Sequence, residues 1–545
     1  MRARALAPLL LLLLAAPAAA SPASQPASAP ASSPAPASGE IIDDAADPGG
    51  AVAPRPALAP AGASEPATIA RAGAALRLGL DPVHERSGPA TAGPYHEDVL
   101  ELLGTASAHL DHRLRPGLRL ELGGRLLYRL TSRRGASGTY TVFNGTVHRS
   151  DLEADLLDSA LTFATPHVAL QAGMVTAVLG ATDLVNPNDV LTVRDLRSGM
   201  FLDPAASRLP VPLVRAEAQV RGVGLAAYFM PVFRPHRVDV FGSDFALFGP
   251  IAPVPLQQLG TTLDELVDPT VAGAAQDAVR QSRLPRPFSA PDVAARVRRV
   301  FGGWDVALQY AWLHERLPVL RVSRTFLAGA LPLLASGAAL APETRAELLG
   351  RLLAQSPLPI EGVYRRQHQA GLSVAGALGP LRVAFDAAYL SREAANLGGA
   401  FPFAPDGGDW LAASVDSQSV ATTLGLTYVR GADLVVGVEA WYKVLVDLAL
   451  EAAATRPPLL LGGPHFGGLA AHASWTVPGT HLTLRLVGQG DVVNRALVLL
   501  PQAVYRRGDH LGFVAGAMIF DGAAASLGGR LTRNDQVYVG VEGAL

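Results

Sequence analysis

Along most of this chain, apolar and polar residues alternate with a period of two. From Leu118 to Leu130, Leu118, Leu120, Leu122, Leu126, Tyr128 and Leu130 share one face, while Arg119, Glu121, Arg125 and Arg129 share the other. Trp304, Val306, Leu308, Tyr310 and Trp312 repeat the pattern against Asp305, Ala307, Gln309 and Ala311, and Leu482, Leu484 and Leu486 repeat it against Thr483, Arg485 and Gln489. A last amphipathic strand, with Val537, Val539 and Val541 on one face, ends near the end of the sequence. Each such strand has an oily side and a polar side, as a membrane barrel wall requires.

The connections give a second, independent signal. Tight turns are read at 115–117, 165–167, 221–222, 301–303, 379–380, 431–433, 477–479 and 507–509, all built on Gly or Pro. Longer connections fall near 132–150, 180–211, 232–290, 315–361, 392–416, 448–464 and 521–534. Short and long alternate, which matches the periplasmic turns and external loops of a transmembrane antiparallel β-barrel. Parity requires one more strand before residue 97, at Ala72 to Leu80. The predicted fold is all-β, about 18 strands with 16 as the alternative count. Helical patterns at 261–280 and 342–354 predict short helices in the long external loops.

Composition sharpens this picture. Mean hydropathy is +0.25 with 17% charged residues, yet beyond residue 20 no apolar run approaches the roughly 18 residues of a membrane helix. The hydrophobicity is therefore dispersed over alternating strands. Arg2 and Arg4, the Leu9–Leu14 core and Ala18-Ala19-Ala20 make residues 1–20 a cleaved export signal. Residues 21–65, rich in Ala, Pro and Ser, are expected to form a disordered periplasmic linker, and 66–545 the barrel in the outer membrane of a Gram-negative cell. Cys is absent and Lys443 is the sole lysine, which removes disulfides, thiolate ligands and a phosphate-binding GxxxxGK loop. With a formal net charge of −2 and no basic cluster, nothing points to nucleic acid as a partner.

The most distinctive stretch runs from Gly180 to Glu217. Asn186-Pro187 starts a turn that Asn188 and Asp189 continue, and Arg194, Asp195 and Arg208 place both signs of charge in one loop. It reads either as a surface loop stitched by Asx turns and an ion pair, or as an external loop that folds inward, constricts the lumen and presents polar groups to a solute. The run from Leu170 to Glu217 resembles an outer-membrane barrel family known only as a domain of unknown function, in which a GRQxxxWG strand precedes an NPxD loop, an Arg and an LPVP-like element. Gly173, Leu179-Gly180, Asn186-Pro187-Asn188-Asp189, Arg194 and Leu209-Pro210-Val211-Pro212 occupy those places. The hairpin Ala295–Asp305 and the end Asp535–Val541 also resemble it. Leu179 replaces the family Trp, Val175 the family Gln, and Leu545 the usual terminal aromatic. The resemblance extends over most of 70–545, is specific only around Asn186–Asp189, and implies a porin-like or transport role with no known substrate.

Charges expected on the inner face are Arg119, Glu121, Arg125 and Arg129 on one strand, Glu153 and Asp155 on the next, and Arg365, Arg382, Asp386, Glu439, Lys443 and Arg485 further round. They form either a structural ladder of paired charges or separated rings that select solutes by charge. Tyr128, Trp304, Trp312, Tyr364, Tyr389, Tyr428 and Trp475 are candidates for interfacial girdles. Enzymatic signatures are lacking: no His-Glu pair is followed by a second His at zincin spacing, and no GxSxG elbow occurs.

These features point to a channel or facilitator for passive passage of a small solute of unknown identity, in contact with outer-membrane lipid and needing no cofactor, metal or catalytic residue. A non-conducting scaffold or anchor is the second reading, distinguished by a plugged lumen. A hydrolase on the barrel rim is the third, and needs Ser, His and an acid to converge at one height. The sequence leaves the oligomeric state open.

Overall fold

The structure, a computed structural model, describes residues 68–80, 98–133, 149–197, 207–238, 284–335, 344, 347–348, 351, 360–399, 402–508, 510–532 and 535–544. The expected signal (1–20), linker (21–65), helical pattern at 261–280 and Leu545 lie outside these residues.

Eighteen antiparallel strands form one closed ladder. They are β1 (Thr68–Leu80), β2 (Asp98–Arg115), β3 (Leu118–Arg133), β4 (Arg149–Leu156 continued by Ser159–Ala164), β5 (Val168–Val175), β6 (Val211–Val220), β7 (Val223–Met230), β8 (Asp292–Phe301) and β9 (Trp304–His314). They continue as β10 (Arg366–Leu378), β11 (Leu381–Asn396), β12 (Ser414–Arg430), β13 (Leu434–Leu445), β14 (His465–Thr476), β15 (Leu482–Asp491), β16 (Ala496–Arg507), β17 (Leu511–Gly522) and β18 (Gln536–Ala544). Each strand pairs with its sequence neighbours, and β18 returns to β1 from Leu80↔Val537 to Gly73↔Ala544. Closure leaves no strand edge, the condition for burying backbone in hydrocarbon. The first strand begins at Thr68, four residues before the expected start.

The eight predicted tight turns all fall at one end of the barrel. The alternation has one exception at the other end, where only Val492–Arg495 join β15 to β16 and Arg495 adopts φ 56°. In β4 the facing set changes parity. Leu152 and Leu156 face out before the break at Leu157-Asp158, and Leu161 and Phe163 face out after it, because four steps from Leu156 to Ala160 oppose three from Gly124 to Glu121 and the one extra residue acts as a bulge.

The outward face is the apolar one. Leu308, Leu424, Leu426, Val438 and Val539 are exposed along its middle, Tyr128, Phe229, Tyr310, Trp312, Tyr389 and Tyr442 lie toward the long-loop end, and Phe163, Phe301, Trp475, Tyr505 and Phe513 toward the short-turn end. This is an apolar belt between two aromatic girdles, and with it the chain is a transmembrane barrel of the outer-membrane kind. No helix among the described residues is long and apolar enough to cross a membrane. Tyr364 departs from the girdle expectation: it is buried at the mouth against Phe233, with ring centroids 4.8 Å apart, because it precedes β10 instead of lying on a strand.

At the long-loop end, Val319–Ser323, Ile360–Val363, Trp410–Ala412 and Ala404–Pro405 make a small four-stranded sheet from the β9–β10 and β11–β12 connections. The helix Arg324–Ala335, which the sequence pattern does not predict, follows its first strand. It has no acidic residue in its first turn. Ser323 Oγ instead accepts the Phe326 N–H at 3.1 Å and donates to Asp409 at 2.6 Å, so a carboxylate from the facing connection answers the helix dipole. Within the predicted 342–354 helix, Thr344, Glu347, Leu348 and Arg351 are helical.

A charge placed in the belt is expected to be costly. Leu308→Arg should destabilise the folded barrel by about 2–4 kcal/mol, measured by urea titration of the vesicle-inserted protein, whereas Gln489→Arg on the inner face of β15 should leave the midpoint within error.

Candidate functional site

The connection from β5 to β6 does not lie over the rim. Its backbone turns into the barrel and is gripped by side chains on the inner faces of β9 to β13, up to eight strands away in an eighteen-strand wall. Asp386 on β11 accepts the Ala181 and Thr182 N–H groups at 2.8 and 2.7 Å and the Thr182 hydroxyl at 2.6 Å on one oxygen. Glu439 on β13 accepts Asp183 N–H at 2.6 Å, Leu184 N–H at 3.1 Å and Val185 N–H at 2.7 Å. Two wall carboxylates thus satisfy five consecutive amides of a segment that has no secondary structure of its own.

Asn188 is the second anchor. Its Nδ2 is ringed by Leu372 O, Ser373 Oγ and the other Asp386 oxygen at 2.9, 3.0 and 2.9 Å. Its Oδ1 accepts from Gln369 at 3.1 Å, and its backbone carbonyl accepts from Gln309 at 2.9 Å. Asn188 is fully buried. It fits because Gly371 lies beneath it; a Cβ there would come within 2.1 Å of Asn188 Oδ1. Asn186 closes the turn, donating to Leu179 O at 2.8 Å and accepting the Asn188 N–H at 3.0 Å. Gly180, at φ 99°, leaves the space that the Asn186 amide fills. Arg382 on β11 completes the clasp, with both Asp183 oxygens at 3.0 Å and Ala181 O at 2.5 Å.

Between the anchors and the strands it came from, the loop is held by apolar contact. Leu179, Leu191, Val193 and Leu209 pack with Val175, Val211, Leu213, Tyr228, Met230, Ala294, Ala311 and Leu313 of β5 to β9. Val193-Arg194 pairs with Arg208-Leu209 in a two-stranded ribbon. Asp189 is enclosed; burial pushes its carboxyl above the usual range against the pull of Arg194, 3.2 Å away, its Thr192 hydrogen bond and the charge of Arg208. For Asp195, burial acts in the same upward direction but the Arg197 hydrogen bonds at 3.0 and 2.7 Å outweigh it, and the carboxyl lies below its usual value. Burial, with Arg316 and Arg194 adding to it, holds His236 at about 3, so it is neutral and accepts the Arg194 N–H at 3.0 Å.

The remaining candidate charges divide into groups. On β3, Arg125 reaches Asp155 at 3.0 Å, and Arg119 meets Asp111 and Glu121. Arg129 turns instead to Glu101 of β2 at 3.0 Å and donates to Arg197 O of the loop at 3.0 Å. Glu153 takes Arg197 in a two-point contact at 2.5 and 2.9 Å and Arg237 at 2.9 Å. Lys443 pairs with Glu393, and Arg485 lies on the inner face of β15 opposite Ser474. Arg365 is not on a barrel strand. It precedes β10 and clamps Asp406 of the β11–β12 connection, at 2.7 Å, and Asp416 near the start of β12. Thr182, Asp183, Gln309 and Ser373 belong to the clasp and were not singled out from sequence as site residues. Their signal exists only in pairs, since each clasp contact joins a loop residue to a residue on a distant strand.

A further carboxylate lies at the long-loop end. Glu315 follows β9, and burial, with Glu393 nearby, raises it to about 7 although the Ala394 N–H donates to it. In an unfolded chain it titrates near 4.5, so the folded mouth holds a proton the unfolded one does not, and stability falls as pH rises between about 4.5 and 7. Protection of the Ala394 amide, taken relative to its intrinsic exchange rate at each pH, should fall across that interval, and Glu315→Gln should flatten the dependence. Inside the barrel, Asp386→Asn with Glu439→Gln should leave the strands protected but cost the loop about 2–4 kcal/mol, a roughly 30- to 1000-fold loss of protection at amides 181–185.

No family model matches the sequence, and no curated protein sequence matches it. Solved structures do align with it. OccAB1 of Acinetobacter baumannii matches at 9% identity and TM-score 0.41, over 87% of this chain and 96% of that one. OpdL of Pseudomonas aeruginosa matches at 10% and 0.38, over 88% and 98%, and the outer membrane channel DcaP of A. baumannii at 10% and 0.34, over 88% and 97%. Likeness at this level bears on neither substrate nor assembly; the fold stands on this chain's own closed ladder.

Proposed function

We propose that the protein is an outer-membrane channel through which small solutes pass down their own gradient, with the β5–β6 loop as its constriction. The observation that carries this reading is the clasp. Two buried carboxylates and a buried Asn are spent on fixing an irregular loop inside the barrel, an expensive arrangement for a wall that is already closed without it. A loop so held narrows the passage to the part of the lumen facing β14 to β18 and β1 to β3, and Arg119, Glu121, Arg125 and Arg485 lie on strands of that remaining arc. Charged side chains there would act on whatever crosses.

The test is planar-bilayer conductance of purified, refolded protein. Stepwise channels are expected from the parent, and larger, noisier steps from Asp386→Asn/Glu439→Gln and from a chain lacking residues 184–206. The sole lysine gives a second readout. Lys443 lies on the inner face of β13, about a third exposed, so a membrane-impermeant amine reagent should label it in intact vesicles and reduce the current. A folded, heat-modifiable barrel that conducts in none of these forms would overturn the channel and favour the scaffold.

A further inference from the structure

The lumen's formal charges nearly cancel, but they are not equally presented to water. Arg382 is 32% exposed while Asp183, its partner, is 3% exposed. Arg119 is 27% exposed against 7% for Glu121, and Arg194 26% against 2% for Asp189. Arg77 over Glu101, Arg125 over Asp155 and Arg237 over Asp155 follow the same order. Asp386 and Glu439 are sealed altogether beneath the loop amides they accept. In each case the acid is the floor of the pair and the guanidinium its upper surface. The order reverses where Glu153 meets Arg197 and Arg237, where Asp195 meets Arg197, slightly where Glu217 meets Arg215 and Glu101 meets Arg129, and at the mouth where Asp406 and Asp416 meet Arg321 and Arg365; Arg298 and Asp305 are comparably open.

The cause is geometric. A carboxylate on a short stem stays close to the wall, whereas an arginine fork, held by its inner nitrogens, turns its remaining N–H groups toward the water. Charge that is buried and hydrogen-bonded is felt weakly by a passing ion, and charge at the wet surface is felt strongly. Arg296 strengthens the bias. It lies on the inner face of β8 between Ala226 and Gln309, and its Nε has no hydrogen-bond partner.

We propose that the passage prefers anions, and that its solutes are small molecules carrying an oxyanion group, which the planar forks of Arg77, Arg119, Arg296 and Arg298 can meet at two points. The proposal rests on the channel reading above and fixes its sign.

The experiment is the reversal potential of the refolded full chain in a KCl gradient. Chloride should permeate over potassium by about threefold or more at 0.1 M salt, and the ratio should fall toward one at 1 M as the Debye length shortens from about 10 to 3 Å. That salt series needs no variant. Arg77→Gln/Arg119→Gln/Arg298→Gln, none of which touches the loop anchors, should lower the ratio by about threefold while the channel stays open. Replacing chloride by acetate on one side, and by inorganic phosphate in a separate run, then shows whether carboxylates or phosphates are the better-carried class. An open channel that prefers potassium, or whose selectivity ignores salt and the triple variant, overturns the inference and leaves the channel standing. Absence of any conductance overturns the channel itself.

Discussion

A peptide group removed from water must be given a partner, and this molecule meets that demand twice. In hydrocarbon it is met by closure, since β18 returning to β1 pairs the last open N–H and C=O rows. Inside the barrel the demand recurs, because the β5–β6 connection runs where neither bulk water nor a neighbouring strand serves its amides. Asp386 and Glu439 supply the acceptors. Had the loop stayed at the rim, two carboxylates facing small wall residues would have no structural task. Everything that gives the lumen its shape follows from their being there.

The wall is adapted to the loop as much as the loop to the wall. The inner faces of β10 to β12 carry Gly371, Ser373, Ala375, Ala384, Ala388, Ala421, Thr423 and Gly425, a bed of small residues on which backbone can lie close enough to be gripped by wall side chains. Bulk is placed on the opposite side of the same strands, where Leu372, Phe385, Tyr389 and Leu424 meet lipid. The alternation that makes a strand amphipathic is used here with a second distinction, small against large, which an apolar-polar reading does not separate.

That explains which parts were legible. Period-two alternation and Gly/Pro turns are local, and each reports on a few consecutive residues, so strands and turns can be read segment by segment, as at Leu118–Leu130 and Gly431–Asp433, and strand number and parity follow by counting along the chain. The Val492–Arg495 turn was missed as an exception because a short connection leaves no loop composition to notice. The clasp is of another kind. Asn186 and Asn188 stood out as turn formers, and Asp386 and Glu439 as inward charges, but nothing local says that residues some 200 and 250 positions apart meet. Helix Arg324–Ala335 escapes the pattern for a related reason: the carboxylate that steadies its Ser323 cap and answers its dipole is Asp409, far along the chain. Arg365 was misplaced because its neighbours alternate properly while it lies just before the strand begins.

The same distinction separates composition from electrostatics. A formal net charge of −2 describes the chain as a list, in which Arg382 and Asp183 cancel. In the folded barrel they do not, because one is spent against Thr427 and the wall and the other faces the passage. Burial weights each charge before a solute can sense it. Since an acid that organises backbone must be buried to do so, a lumen whose carboxylates serve as anchors is left with its arginines as the visible charge. The selectivity inferred here is then a consequence of how the loop is fastened, and needs no surplus of basic residues in the sequence.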